Sequence, residues 1–222
     1  MSENPWKTLT SRIVYANPWL RLREDTVIQP GGQQGIYGVV EMRPSVGIVA
    51  LNDADEVALV TQWRYPLGRI SVEIPTGGSD PSDHDVPAAA RRELREETGL
   101  SAASWRELGF IDSSNGVTTE TAHMFLATGL EAGPAAQEPE EQVTLSWLPF
   151  DQAVQQVLAG EITESVSVAA ILKVEVLRRQ ASLFPELPAR LDVAEERAAL
   201  DQLGALRRDH GLPRVVLGRD PA

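Results

Sequence analysis

The chain contains no cysteine. Disulfides, thiol catalysis and cysteine-based zinc sites are excluded together. Histidine is scarce, and His84, His123 and His210 stand at no metal-ligand spacing. No apolar run reaches the roughly 18 residues that cross a bilayer, so no membrane partner is expected. The opening MSENPWKTLTS lacks the charged-then-apolar layout of a signal peptide. A cytoplasmic location is the expectation. Positive charge is also short: 20 Lys and Arg face 32 Asp and Glu, a formal net charge of −12. Such a chain gains nothing from counterion release on a polyanionic duplex. No basic run builds a groove, so nucleic acid is not an expected partner.

What is present is enough for a large core. Hydrophobic residues make up 42% of 222. Residues 11–29 read as two strands broken near Asn17 and Pro18, with Leu20 and Leu22 alternating with Arg21 and Arg23. Pro30, Gly31 and Gly32 make a turn, and residues 36–42 another strand. A small antiparallel sheet over residues 1–43 is expected before a main domain at 44–180. Residues 46–51 and 57–63 read as two apolar strands joined as a hairpin through Asn52, Asp53, Ala54 and Asp55. Residues 70–74, 104–111, 119–127 and the segment from 143 read as further strands. Helices are expected over 87–98, from Asp151 to a stop at Gly160, and over 165–179. Residues 181–222 form an extension with a helix at 194–210.

The most informative stretch is residues 77–100, GGSDPSDHDVPAAARRELREETGL. Gly77 and Gly78 open a loop rich in turn and cap formers, Asp80 to Asp85. Pro87 is tolerated in a first helical turn, and Gly99 stands where a helix ends. On that helix Glu93, Glu96 and Glu97 fall at i, i+3 and i+4, three carboxylates on one face. Such a face is either solvated and crossed by Glu–Arg pairs, or a site for a hard divalent cation.

This stretch resembles the Nudix hydrolase family. Gly78, Arg92, Glu93, Leu94, Glu96, Glu97, Gly99 and Leu100 match the family's pattern, and His84 stands where the pattern has an early glutamate. In the family that glutamate supports the helix and its arginine. A second segment, QWRYPLGRISVEIPTGG, resembles the subgroup that cleaves ADP-ribose and nucleotide sugars. Gln62, Arg64, Tyr65, Glu73, Pro75 and Gly77 match there, and Thr76 replaces an alanine. In the loop from Ser113 to Gly116, Asn115 stands where the subgroup commonly has proline.

The resemblance implies an α+β fold, an α/β/α sandwich around a mixed sheet. It implies a pyrophosphohydrolase using Mg2+, with Mn2+ as the alternative. Glu93, Glu96 and Glu97 would hold metal, with a backbone carbonyl at Gly77 as a further ligand. Arg92 would orient Glu93. Glu141, in the acidic loop at 131–142, would position or deprotonate the attacking water, with Glu140 next in line. Arg64, Glu73 and Glu120 would contact substrate, although Arg64 and Glu120 read equally as surface residues. The substrate would be a nucleoside diphosphate sugar, ADP-ribose first and GDP-mannose second. A non-catalytic module that senses a nucleotide is the reading from another class. A homodimer joined through the N-terminal sheet is also implied.

Overall fold

The computed structural model of the chain describes residues 4–133 and 143–183. The acidic loop with Glu140 and Glu141, and the helix expected at 194–210, lie outside the described residues. Residues 1–175 form one compact unit, and a second begins at Val176.

Three strands, β1 (Lys7–Ala16), β2 (Leu20–Ile28) and β3 (Gln34–Met42), make the antiparallel sheet that the N-terminal pattern predicts. The break after β1 is an Asx turn. The Asn17 side-chain oxygen accepts from the amides of Trp19 and Leu20 at 2.9 and 2.8 Å. The turn after β2 puts Gly32 in the left-handed region, at φ 84°. Alternation along β2 is only partly apolar. Arg23 lies on the same face as buried Asp25 and binds both it and Glu41 of β3. Ion pairs on that face satisfy charges that alternation alone would send to solvent.

The chain then enters β4 (Ser45–Ala50), almost wholly buried. β4 is the hub of a mixed sheet ordered β7-β4-β9-β8, with β7 (Thr76–Gly78), β8 (Leu100–Asp112) and β9 (Thr121–Ala132). β4 and β9 run parallel; the other pairs are antiparallel. Val46, Ile48 and Ala50 pack with Ala89, Ala90 and Leu94 of helix α1 (Val86–Thr98). Gly47 faces the other way, where an added Cβ would lie 2.5 Å from Val166 in helix α3 (Ser165–Leu183). Helices therefore cover both faces of the mixed sheet, as the sandwich requires.

The expected hairpin between β4 and β5 (Glu56–Arg64) does not form. A single bridge, Leu51 to Val57, joins them. Both edges of β4 are already taken by β7 and β9, so the turn at Asn52 hands the chain to another sheet. That sheet is antiparallel, ordered β10-β5-β6, with β6 (Arg69–Glu73) and β10 (Thr144–Pro149). Helix α2 (Phe150–Ala159) packs on β5 and β10 and stops at Gly160, φ 75°. Strands β8 and β9 are longer than expected. Gly129 sits at φ 65° inside β9, beyond the expected end at residue 127.

Candidate active site

Helix α1 begins and ends on its own sequence signals. The Asp85 carboxylate accepts from the Ala88 amide at 2.7 Å, and Gly99 at φ 73° donates to Arg95. Its inward face carries Ala89, Ala90, Leu94 and Thr98, but also Glu93 and Glu97, which are only 8% and 2% exposed. Two carboxylates at core-facing positions are costly without partners. Their immediate neighbour is β7. Glu97 accepts from the Thr76 amide at 2.9 Å. The Glu93 carboxylate lies so close to Gly77 that an added Cβ would fall 2.1 Å from its carboxyl carbon.

Arg92 ties the outer side together. Its Nη1 donates to Glu93 at 2.9 Å and to Glu96 at 2.7 Å. Its Nε and Nη2 donate to the two oxygens of Asp83 at 3.1 and 3.0 Å, and Nη2 also donates to the Gly78 carbonyl. All five guanidinium N–H groups thereby have acceptors. Hydrogen bonds to Asp83, then those to Glu96 and the nearby carboxylate charges, raise the Arg92 pKa against the opposing effect of burial. In return Arg92 holds the Asp83 carboxyl below its ordinary value.

Helical spacing places Glu93, Glu96 and Glu97 on one face, as expected. Convergence on one ion does not follow: among the described residues no three acidic or histidine side chains surround a common point. Arg92 draws Glu93 and Glu96, while the Thr76 amide draws Glu97. The donor set still suits a hard divalent cation. Three carboxylates, Asp83, Glu93 and Glu96, gather around one guanidinium, Glu97 lies against the neighbouring strand, and the side chains of Glu93, Glu96 and Glu97 offer carboxylate oxygens.

On the far side of β7 lies a cleft of about 350 Å³ lined by Thr76, Gly77 and Gly78 of this strand, with Arg64 and Glu120. Of the expected substrate contacts, Arg64 and Glu120 line it and Glu73 does not. Glu73 is 1% exposed and grips Arg64 through two hydrogen bonds, Nε to Oε1 at 2.9 Å and Nη2 to Oε2. In the structure Glu73 anchors Arg64, which lines the cleft. The Nη1 edge of Arg64 makes no hydrogen bond among the described residues. Burial pushes the Glu73 carboxyl up, and bonds from Arg64 and Ser71 outweigh it, leaving it below its ordinary value.

Three further residues line the cleft without any local signal in the sequence: Trp19, Arg43 and Glu164. Trp19 is 70% exposed. Arg43 joins no carboxylate in an ion pair among the described residues. Glu164 is occupied at the start of α3, accepting from the amides of Val166 and Ser167 at 2.8 and 2.7 Å. The N-terminal sheet and the first turn of α3 bring these side chains to the cleft through topology.

Comparison with known proteins identifies the family. A family model described as NUDIX domain matches residues 41–168, more than half of the chain. The chain belongs to the Nudix family. A second model, described as nucleoside diphosphate sugar hydrolase N-terminal domain, matches residues 6–40. Among relatives, an ADP-ribose pyrophosphatase of Mycobacterium tuberculosis is 37% identical over 179 residues, 80% of this chain and 86% of that protein. A methanol dehydrogenase activator of Bacillus methanolicus is 30% identical over 167 residues, 74% of this chain and 90% of that protein. A crystal structure of an ADP compounds hydrolase superposes with a TM-score of 0.70 at 22% identity, covering 81% of this chain and 98% of that one. That likeness shows the Nudix fold.

The Arg64–Glu73 pair gives a prediction. Glu73→Ala should cost about 2–4 kcal/mol in urea unfolding, less than a fully buried pair because the Arg64 side chain stays 36% exposed. The sign with pH follows from the lowered carboxyl. Its stabilisation is complete above the ordinary value of 4.5 and is lost as pH falls through the lower folded value. Urea midpoints measured from about pH 6 down to 3 should therefore fall more steeply for the wild type than for Glu73→Ala.

Proposed function

We propose that this Nudix protein is a Mg2+-dependent pyrophosphohydrolase. It cleaves the diphosphate of ADP-ribose or a related nucleoside diphosphate sugar, adding water to give a nucleoside monophosphate and a sugar phosphate. The observation that carries this reading is the set of carboxylates on α1 backed onto β7, with a cleft on the other side of the same strand.

Glu93, Glu96 and Glu97, with the carbonyl of Gly77, are the residues that would hold the metal. When bound there, a hard divalent cation supplies charge neutralisation for the diphosphate and lowers the pKa of water. The chain itself supplies orientation. Arg92 fixes Glu93 and Glu96. Arg64, gripped from below by Glu73, presents its remaining N–H edge to a phosphate. Arg43, which lines the same cleft, offers a second cation. The indole of Trp19 gives a nucleobase a face to stack on. Glu120 can accept from a sugar hydroxyl. Glu141 takes the attacking water, a role that rests on the family resemblance.

Strand β1 supports assembly as a homodimer. All ten of its residues are exposed, among them Leu9, Ile13, Val14 and Tyr15. An edge strand with that much apolar surface is a template for a second copy. A cytoplasmic location suits such an enzyme; among the described residues no helix is long and apolar enough to cross a membrane.

A panel of ADP-ribose, GDP-mannose and other nucleotide sugars, with and without Mg2+, tests the assignment. Turnover of ADP-ribose should fall by about 10³-fold or more in both Glu96→Gln and Glu97→Gln. Unchanged turnover in these variants removes them from the mechanism. Ligand binding with no phosphate-ester product from the wild type would favour the sensing module.

Arg43→Ala should raise KM by about 10-fold with kcat nearly unchanged, the signature of a contact made equally in ground and transition states. Light scattering at micromolar concentration should give the mass of a dimer, and a monomer would remove the assembly from the reading.

A further inference from the structure

The family's early glutamate falls on His84, an exposed side chain for which the mechanism above has no task. The residue before it makes the contacts that the resemblance assigns to that glutamate. We propose that Asp83 is the positioning residue for Arg92, its carboxylate having taken over, one residue earlier in the chain, the support of the arginine that orients Glu93 and Glu96. This deepens the metal-site reading above and rests on it.

The geometry supports a positioning role. Asp83 meets Arg92 side-on, oxygen for nitrogen, at 3.1 and 3.0 Å. A bidentate carboxylate fixes the plane of a guanidinium as well as its location. With Nε and one Nη2 hydrogen held by Asp83, and the other Nη2 hydrogen held by Gly78 at 2.9 Å, the two hydrogens of Nη1 are left for Glu93 and Glu96. Asp83 is itself fixed. Its Oδ2 accepts from the Asp80 amide at 2.7 Å, and its own amide donates to the Asp80 carbonyl at 3.0 Å. The Asp80 carboxylate in turn holds the amide and hydroxyl of Ser82. The loop thus delivers one rigid carboxylate to Arg92. The Asp83 side chain is only 8% exposed, so water competes little for it. A carboxylate at position 84 begins one residue nearer to Arg92 along the chain, and glutamate is one methylene longer than aspartate. The two solutions are therefore interchangeable in principle.

The test uses the full chain and Mn2+ alone as the first probe, by calorimetric titration, followed by kcat, KM and thermal midpoints. Asp83→Asn should weaken Mn2+ binding about 10–100-fold and lower kcat, with KM for ADP-ribose moving less than about 3-fold. If Asp83 acts through Arg92, adding Asp83→Asn to Arg92→Lys should cost nothing further, because the two changes remove one arrangement. Asp83→Ala with His84→Glu should regain about 10-fold or more of the Mn2+ affinity lost in Asp83→Ala. Wild-type Mn2+ affinity in Asp83→Asn, additive losses with Arg92→Lys, or no recovery with His84→Glu each overturn the proposal. Should Asp83→Asn fail to fold, the Ala–Glu double variant decides: folded with Mn2+ affinity regained supports it, and unfolded overturns it. The underlying reading fails differently. A wild type that binds Mn2+ but turns over no nucleotide sugar loses its substrate assignment only. A wild type that binds no Mn2+ loses the metal site, and the Asp83–Arg92 coupling is then judged from the thermal midpoints of the wild type, Asp83→Asn, Arg92→Lys and their double variant: non-additive losses support it and additive losses overturn it.

Discussion

The guanidinium of Arg92 carries five N–H groups in one plane, and each meets an oxygen of the site wall. Without that plane, Glu93 and Glu96 would be neighbouring anions in a poorly hydrated place, repelling one another. With it, they are held in one orientation against a strand. The rest of the fold keeps this arrangement in position. Asp85 and Gly99 define where α1 starts and stops, so the phase of its inward face is fixed. Ala89, Ala90 and Leu94 lock that face onto β4. β4 in turn pairs with β7, whose glycine and amide meet the two buried glutamates.

A second consequence of the topology is that one thin strand stands between the carboxylates of α1 and the arginines of the cleft. On the α1 side of β7 the charge is an excess of carboxylates. On the cleft side charges are mixed: Arg43 and Arg64, the latter paired with Glu73, stand with Glu120 and Glu164. A diphosphate in the cleft would meet arginine from one side and, with a divalent ion present, the metal-bearing wall from the other. The switch of the chain between sheets after β4 makes this possible. A plain β4–β5 hairpin would have filled the edge of β4 that β7 occupies, and the glutamates would have had no strand to rest on.

Much of the site was legible because its logic is local. The i, i+3, i+4 glutamates, the helix caps and the flanking glycines lie within residues 77–100, where helical geometry turns sequence distance into spatial distance. Arg64 and Glu120 line the cleft. The Arg64–Glu73 pair was not legible: the β5–β6 register sets Glu73 opposite Val60 and Arg64 opposite Arg69, so the two meet only by the reach of their side chains. Asp83 was readable only as a turn former, since its partner is nine residues away across a loop. Trp19 and Arg43 had no signal at all: they lie in the connections before β2 and before β4, and only the placement of the N-terminal sheet makes them neighbours of the cleft. The lengths of β8 and β9 were underestimated for a simpler reason. At 129 glycine supplies a left-handed residue inside a continuing strand.

The contact between Gly77 and Glu93 carries a further implication. The glycine has no charge and no side chain, yet any Cβ there would overlap the carboxylate. Every single-base change at the first or second position of a glycine codon specifies another residue or a stop. At the level of the gene, this position therefore has only silent third-base freedom, and an allele altered here would disturb the site while every acidic residue in it stayed in place.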